Sequence, residues 1–164
     1  MAYASYSGNT AVAARNLAQA LRSKGLEARE LELVTKHRLS PGGGALRALL
    51  GLGAELSPSL LEENWNEYEV VFLATPVWSF SALPQINTFV HKLENLEKKK
   101  IFALVTCYFW YGGDVSQIEN RVKKKGGELN SALSLSLPTG FNDKAKKQLI
   151  KWLDMLEVHF LPRE

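Results

Sequence analysis

A cluster of hydroxyl and amide side chains near the start of the chain has the types and spacing of an anion-binding loop. It comprises Ser5, Tyr6, Ser7, Gly8, Asn9 and Thr10. The segment lies between a short predicted strand and an amphipathic helix, and Gly8 allows a turn that a β-carbon would hinder. Hydroxyl and amide groups can donate to phosphate oxygens, and a helix start adds unpaired N–H groups and a partial positive charge. Because no lysine or arginine precedes Arg15, the loop would bind phosphate without a cationic side chain.

The glycine and hydroxyl residues of the chain allow three other interpretations, and the sequence disfavours each of them. A turn with a simple helix cap and no ligand would explain one hydroxyl and the glycine, but not six suitable residues at one junction. A Walker loop would require Gly-Lys-Ser/Thr, which does not follow. Residues 51–56, with Gly51 and Gly53, lack the third glycine and the preceding strand of a dinucleotide fingerprint. Phosphate binding at residues 5–10 is therefore the preferred prediction.

A second loop follows the apolar run at residues 70–75 and contains Pro76, Val77, Trp78 and Ser79. Ligands of open α/β sheets bind beyond the carboxyl ends of the strands, which is where this loop would lie. The indole of Trp78 suits stacking on a flat ring. Packing of Trp78 in the core without a ligand is the alternative.

A third loop follows the apolar run at residues 101–106 and places four aromatic residues beside two glycines. It comprises Tyr108, Phe109, Trp110, Tyr111, Gly112, Gly113 and Asp114. Four exposed aromatic rings would be a liability on an empty surface, so this loop is also predicted to contact a ligand. We expect Phe109 to pack inward.

The hydrophobic pattern predicts an α/β protein with a parallel sheet. Residues 70–75 and 101–106 are continuous apolar runs, as in strands covered on both faces, whereas residues 27–34 and 131–137 alternate like half-exposed edge strands. A strand order of 2-1-3-4-5 satisfies this pattern, whereas 3-2-1-4-5 would put an apolar run on an edge. The sequence thus predicts a three-layer, doubly wound sandwich with five parallel strands.

Amphipathic stretches with recognisable ends separate the strands. They are residues 10–24 before Gly25, a helix that starts at Pro84, one from Asp114 to Gly126, and one capped by Asn142 or Asp143. Residues 35–64 form a long connection between the second and third strands, with a short helix predicted at residues 45–50. The whole chain, residues 1–164, is predicted to be one domain.

The loop at residues 5–10 resembles the flavodoxin phosphate loop, Thr/Ser-x-Thr/Ser-Gly-Asn-Thr, and meets every position of that pattern. Residues 75–78 resemble the Thr-Pro-Val-Trp loop of the same family. The resemblance implies one non-covalent FMN with its phosphate on residues 5–10. It assigns Pro76, Val77, Trp78 and Ser79 to one edge of the isoalloxazine ring. It places residues 108–114 on the other side, where Tyr108, Trp110 or Tyr111 would stack on the ring.

Composition limits the remaining possibilities. The chain has 164 residues, of which 46% are apolar and 23% charged, with a formal net charge of +3. Its lysine clusters are expected to be solvated helix ends that could steer an acidic partner, not a nucleic-acid surface. Cys107, the only cysteine, is expected to be a small buried hydrophobe. With no membrane span or signal peptide predicted, a cytoplasmic location is expected.

The preferred functional prediction is an FMN-binding electron-transfer protein or small oxidoreductase in which the flavin does the chemistry. His37, His91 and His159 lie in no motif, and neither a catalytic side chain nor a metal site is predicted. A carrier would meet a redox partner protein, whereas an NAD(P)H-dependent quinone or flavin reductase would need a pocket that residues 35–64 could wall. A cofactor-free interaction module is the alternative, and a monomer and a homodimer both stay open.

Overall fold

The computed structural model describes residues 1–37, 40–50, 52–60, 64–77, 81–109 and 114–156. Five strands and five α-helices alternate along these residues. They are β1 (Ala2–Tyr3), α1 (Asn9–Ser23), β2 (Leu31–Glu32), α2 (Pro41–Leu49), β3 (Val70–Pro76), α3 (Pro84–Lys92), β4 (Lys100–Cys107), α4 (Asp114–Lys124), β5 (Leu129–Ser136) and α5 (Asp143–Leu156). Short 3-10 turns occur at Pro58–Leu60, Trp65–Glu67 and Leu96–Lys98.

The five strands form one parallel sheet in the order β2-β1-β3-β4-β5, which confirms the predicted topology. Although β1 is very short, Ala2 is in register with both Leu31 of β2 and Leu73 of β3. The connection after β1 leads to one edge of the sheet and the connection after β3 to the other. The carboxyl ends of β1, β3 and β4 therefore meet at the switch point, where doubly wound folds bind ligands.

Two apolar layers cover the sheet. On one face, α1 and α5 bury Leu17 and Trp152 against the stacked rings of Phe72 and Phe102. On the other face, α3 and α4 bury their own stripes against the alternate strand residues. The members of that second layer include Ile86, Phe89, Val90, Ile118, Val122, Leu73 and Ile101. This division confirms the three-layer arrangement and explains why the interior strands are apolar throughout.

The largest differences from the predicted element boundaries concern β2, β5 and α2. Strand β2 is limited to Leu31–Glu32, although residues 27–34 alternate. Strand β5 starts at Leu129 because the side chain of Asn130 accepts a hydrogen bond from the N–H of Ile101 at 2.7 Å, beside a register shift in the sheet. Helix α2 starts at Pro41, before the predicted residue 45, because the hydroxyl of Ser40 accepts from the N–H of Gly43 at 3.2 Å and caps it.

The described residues of the connection between β2 and β3 lie next to β2 and α3. Thr35 forms an antiparallel bridge with Leu56, which extends the sheet edge beyond β2. The hydroxyl of Thr88, in the middle of α3, accepts from the N–H of Ala54 at 2.8 Å and donates to its carbonyl at 2.7 Å. Among the helices in the described ranges, none is long and apolar enough to span a membrane.

Candidate functional site

The loop between β1 and α1 closes around the hydroxyl oxygen of Ser5. This oxygen accepts hydrogen bonds from the N–H groups of Gly8 and Ala11 at 3.2 and 3.3 Å. Gly8 has a φ of +91°, a left-handed conformation that glycine adopts without the cost of a β-carbon. Because the Ser5 oxygen acts as acceptor in both bonds, neither bond uses its hydroxyl hydrogen.

The start of α1 presents a positive end at which the hydroxyl of Ser5 caps the N–H of Ala11 and leaves the earlier N–H groups open. Gly8 is the N-cap residue and makes no side-chain cap, and no acidic residue lies in the first turn. Helix geometry leaves the N–H groups of Asn9 and Thr10 without an intrahelical acceptor. Ser7 and Gly8 are exposed beside them. The donor set therefore fits a phosphate, which requires several N–H and O–H donors and no neighbouring carboxylate.

A buried hydrogen bond connects this loop to the end of β4. The hydroxyl oxygens of Thr10 and Thr106 are 2.7 Å apart, and the two residues are 1% and 3% exposed. Either hydroxyl could be the donor. The bond fixes the Thr10 side chain at the helix start. Thr106 was not among the predicted site residues, although a threonine at the carboxyl end of an apolar strand is a usable signal.

The connection between β5 and α5 also reaches the phosphate loop. At Gly140, with a φ of +86°, a β-carbon would lie 3.6 Å from the side-chain oxygen of Asn9. This neighbour was not predicted, because nothing in the sequence around residues 138–142 resembles a motif. The exposed residues Lys144, Lys146 and Lys147 follow in the first two turns of α5. They place positive charge at the edge of the sheet that carries the loop.

The loop after β3 leaves the sheet beside β4. The N–H of Val77 donates to the carbonyl of Thr106 at 2.9 Å, and both Pro76 and Val77 are half-buried. The buried hydroxyl of Thr75 accepts from the N–H of Leu83 at 3.0 Å, which pins the two ends of the loop together. Trp78 and Ser79, which were also predicted here, lie outside the described residues.

The loop after β4 begins with two exposed rings. Tyr108 and Phe109 are 61% and 77% exposed, and their ring centroids are 4.4 Å apart in an edge-to-face arrangement. The prediction that Phe109 packs inward is wrong. Strand pairing ends at Cys107, so Phe109 lies beyond the sheet and contacts Tyr108 instead of the core. Trp110, Tyr111, Gly112 and Gly113 are outside the described ranges, and Asp114 is the first residue of α4.

The remaining cysteine and histidine residues lie in different parts of the chain. Cys107 is buried as expected, with its sulfur 3.5 Å from the carbonyl oxygen of Leu135. His37 and His91 lie outside the loops described above, and His159 is not among the described residues. Within the described part of the chain, no group of histidine, cysteine or acidic side chains could hold a metal ion.

Comparison with solved structures supports the fold. Oxidised flavodoxin 2 from Bacillus cereus is 23% identical, with 97% of each chain covered and a TM-score of 0.63. Oxidised flavodoxin 1 from the same organism is 20% identical over 99% of this chain and 97% of that chain, with a TM-score of 0.63. The Trp repressor binding protein from Bacillus subtilis is 14% identical over 94% of this chain and 98% of that chain, with a TM-score of 0.64. These similarities show the fold alone.

The sequence comparison identifies the family. No curated protein matches the chain. The flavodoxin family model matches residues 1–156, which is nearly the whole length. Proteins of this family bind FMN and transfer electrons, and this confirms the cofactor predicted from the sequence. The match, the strand order and the phosphate loop agree, and the chain belongs to the flavodoxin family.

Proposed function

We propose that this chain holds FMN at the carboxyl edge of its sheet and exchanges electrons with an acidic partner protein. The observation that carries the proposal is the start of α1, where the N-cap residue Gly8 has a left-handed backbone and no side chain, and no carboxylate lies in the first turn. Such an end stabilises a phosphate through its N–H groups and dipole. When bound, the flavin supplies the electron-transfer chemistry, and the protein supplies binding, orientation and electrostatics.

The phosphate is assigned to residues 5–10. Ser5 would donate its hydroxyl hydrogen to the phosphate, and Ser7 is exposed in the same loop. If Thr106 donates to Thr10, the hydroxyl hydrogen of Thr10 is left for the phosphate. In this assignment the buried Thr106 is a positioning residue, because it acts through Thr10.

The ring is assigned to the loops after β3 and β4. The ends of these strands are adjacent, since Pro76 is in register with Thr106. Pro76, Val77, Trp78 and Ser79 would border one side of the ring. On the other side, Tyr108, Trp110 or Tyr111 would stack on it, Gly112 and Gly113 would let the backbone approach, and Asp114 would follow at the end of the loop. The exposure of Tyr108 supports this arrangement, because a ring outside the core is available to a ligand.

An acidic protein partner fits the surface around this edge better than a small nicotinamide or quinone substrate. The exposed lysines in the first two turns of α5 follow Gly140, where an added β-carbon would lie 3.6 Å from the side-chain oxygen of Asn9. The exposed Phe109 adds apolar area. A reductase would need a pocket over the ring, which the connection at residues 35–64 could wall. In the structure, residues 52–54 of this connection are instead hydrogen-bonded to α3. These contacts favour a carrier over an NAD(P)H-dependent reductase.

The test is a fluorescence titration of the purified protein with FMN, in which binding quenches the flavin. We expect one-to-one binding that Ser7→Ala and Thr10→Val each weaken by about tenfold, as loss of a hydrogen bond to a charged group would. Ser23→Ala, at the other end of α1, removes the same kind of hydroxyl and should leave the affinity unchanged. Absence of binding would favour the cofactor-free module instead.

A second measurement separates carrier from reductase. The FMN-loaded protein is mixed with NADH or NADPH, and the flavin absorbance is followed under anaerobic conditions. A carrier should bleach slowly because nothing positions the nicotinamide over the ring. Rapid, saturable bleaching would show that the chain is a reductase and would contradict this part of the proposal.

A further inference from the structure

A cleft between α3 and α4 lies on the opposite face of the sheet from α1 and α5. It has a volume of about 870 Å³, within the usual range of small-molecule sites. The residues that carry the argument are Asn87 and His91 on α3, Gln117, Arg121 and Lys124 on α4, and Lys125 just after α4. We refer to it below as the α3–α4 cleft.

The charged side chains among the described lining residues of the α3–α4 cleft are all cationic. Arg121, Lys124 and Lys125 line it, and among the described lining residues none is aspartate or glutamate. Arg121 is half-buried, and burial lowers the pKa of its guanidinium, since the charged form has lost water without gaining a carboxylate. An anion in the cleft would restore the missing interaction.

Two buried polar atoms, one on each helix that flanks the cleft, have no hydrogen-bond partner among the described residues. One is the Nη1 atom of Arg121, and the other is the side-chain oxygen of Asn87, a residue only 7% exposed. The amide nitrogen of Asn87 already donates to the carbonyl of Leu52 at 3.0 Å, which fixes the oxygen as an acceptor. Buried polar atoms in folded proteins are nearly always satisfied, so an unpaired donor and an unpaired acceptor in one cleft point to a ligand.

The guanidinium of Arg121 is held in place before any ligand arrives. Its Nη2 donates to the Oε1 of Gln117 at 3.3 Å, and the same oxygen accepts from the buried hydroxyl of Ser81 at 2.5 Å. Ser81 belongs to the loop after β3, so this chain of hydrogen bonds joins the α3–α4 cleft to the loop that borders the proposed flavin site. A positioned cation costs less conformational entropy on binding than a mobile one.

We propose that the α3–α4 cleft binds a small oxyanion that carries its own O–H donor, namely inorganic phosphate in its hydrogen phosphate form. Arg121 and the adjacent lysines neutralise the anion, and the oxygen of Asn87 accepts its hydroxyl hydrogen. Sulfate, which has no hydrogen to donate at neutral pH, should bind more weakly. This site is separate from the phosphate loop at α1, and the proposal does not depend on FMN binding.

The test follows the amide signals of Asn87 and the side-chain N–H signals of Arg121 by nuclear magnetic resonance. Protein incubated with excess FMN is titrated with sodium phosphate, and sodium sulfate at equal ionic strength serves as the comparison. We expect saturable shifts at both residues with phosphate and weaker binding of sulfate. Because the signals report on this cleft alone, the result stands whether or not FMN occupies the loop at residues 5–10.

Neighbouring residues on α4 provide matched variants. Arg121→Gln should weaken phosphate binding by at least about tenfold, because truncating a half-buried cation removes a charged hydrogen-bond donor. Lys124→Gln should weaken phosphate binding less, since Lys124 is exposed. Because this substitution does not disturb the core, it still tests the proposal if the Arg121→Gln variant fails to fold. Lys123→Gln removes the same charge from a residue that faces a different surface, beside Gly126 and Gly127, and should have no effect.

Three results would overturn the proposal. They are the absence of saturable shifts at Asn87 and Arg121, equal affinity for sulfate and phosphate, and equal loss of affinity in Lys123→Gln and Lys124→Gln. The last result would mean that phosphate responds only to the overall charge of the protein.

Discussion

The hydroxyl of Thr10 in the first turn of α1 is hydrogen-bonded to the hydroxyl of Thr106 near the end of β4, across 96 positions of sequence. Both side chains are buried, so the bond is shielded from water. It joins the loop assigned to the phosphate with the strand that leads to the loop assigned to the ring. The hydrogen bond between these two threonines therefore connects the proposed phosphate-binding part of the flavin site with its proposed ring-binding part.

The first prediction tests this pair. Thr106→Val keeps the shape of the side chain but leaves the Thr10 hydroxyl without its partner, so it should lower the free energy of unfolding by about 1–3 kcal/mol. It should also weaken FMN binding, by up to about tenfold, because Thr10 is no longer oriented. Urea denaturation and fluorescence titration measure the two effects.

Thr106→Ser is the control, since it restores the hydroxyl and should recover the FMN affinity with a smaller loss of stability. If Thr106→Val binds FMN as tightly as the unaltered protein, Thr106 contributes to packing only.

The second prediction concerns the left-handed backbone of Gly8. A β-carbon there would meet no atom within 4 Å, so the cost of Gly8→Ala is conformational, about 1–2 kcal/mol of stability. Because the altered backbone also displaces the N–H groups at the start of α1, FMN affinity should fall as well. Stability and affinity are measured as for the threonine variants.

Gly25 provides a matched control at the other end of the helix. It has a φ of +81° and also has no atom within 4 Å of a β-carbon. Gly25→Ala should reduce stability by a similar amount and leave FMN binding unchanged. Equal losses of affinity in the two variants would show that FMN binding follows overall stability and not the shape of the phosphate loop.

The third prediction concerns Lys99, a buried cation at the edge of the sheet opposite the site. Its amino group donates to the carbonyls of Asn66 and Tyr68 at 2.9 and 2.8 Å, and burial lowers its pKa. Lys99→Met fills similar space but leaves both carbonyls unpaired, so it should cost about 2 kcal/mol of stability. FMN affinity should not change.

The exposed neighbour Lys98 is the control for this variant. Lys98→Met should change the free energy of unfolding by less than about 0.5 kcal/mol, as surface substitutions usually do. A comparable loss in both variants would mean that charge, and not the two hydrogen bonds, accounts for the effect of Lys99.

Local patterns predicted the elements with strong sequence signals. The apolar runs at residues 70–75 and 101–106 are interior strands because both of their faces are covered, and Gly25 and Gly126 adopt the left-handed conformation expected after a helix. The transition from loop to helix within residues 5–10 was also predictable, because glycine and hydroxyl residues there directly precede an amphipathic stretch.

Relationships between distant segments were not predictable in the same way. The pairing of Thr10 with Thr106 and the approach of Gly140 to Asn9 depend on which strand ends are adjacent in space. Phe109 was predicted to pack inward, whereas the strand pairing ends two residues earlier, at Cys107. The α3–α4 cleft was not predicted because its residues belong to two helices, and the hydrophobic pattern of each helix does not show which other helix it contacts.

The last prediction tests the charge at the proposed electron-transfer edge. Lys144, Lys146 and Lys147 are exposed near the phosphate loop, so they should attract negatively charged reactants to the ring. Each Lys→Glu replacement changes the formal charge by −2, and three of them take the chain from +3 to −3. Oxidation of the reduced, FMN-loaded protein by ferricyanide should then slow, on the order of tenfold at low salt.

The matched control reverses three lysines at the opposite edge of the sheet, Lys92, Lys98 and Lys123, which gives the same net charge. Stopped-flow absorbance compares both variants with ferricyanide and with the cationic oxidant hexaamminecobalt(III), over a range of salt concentrations. Local steering requires that the α5 variant lose far more of its ferricyanide rate than the control and gain rate with the cation, with both differences fading as salt screens the charges. Equal changes in the two variants would show that net charge alone governs the reaction, and an acidic partner would then have no reason to approach this edge.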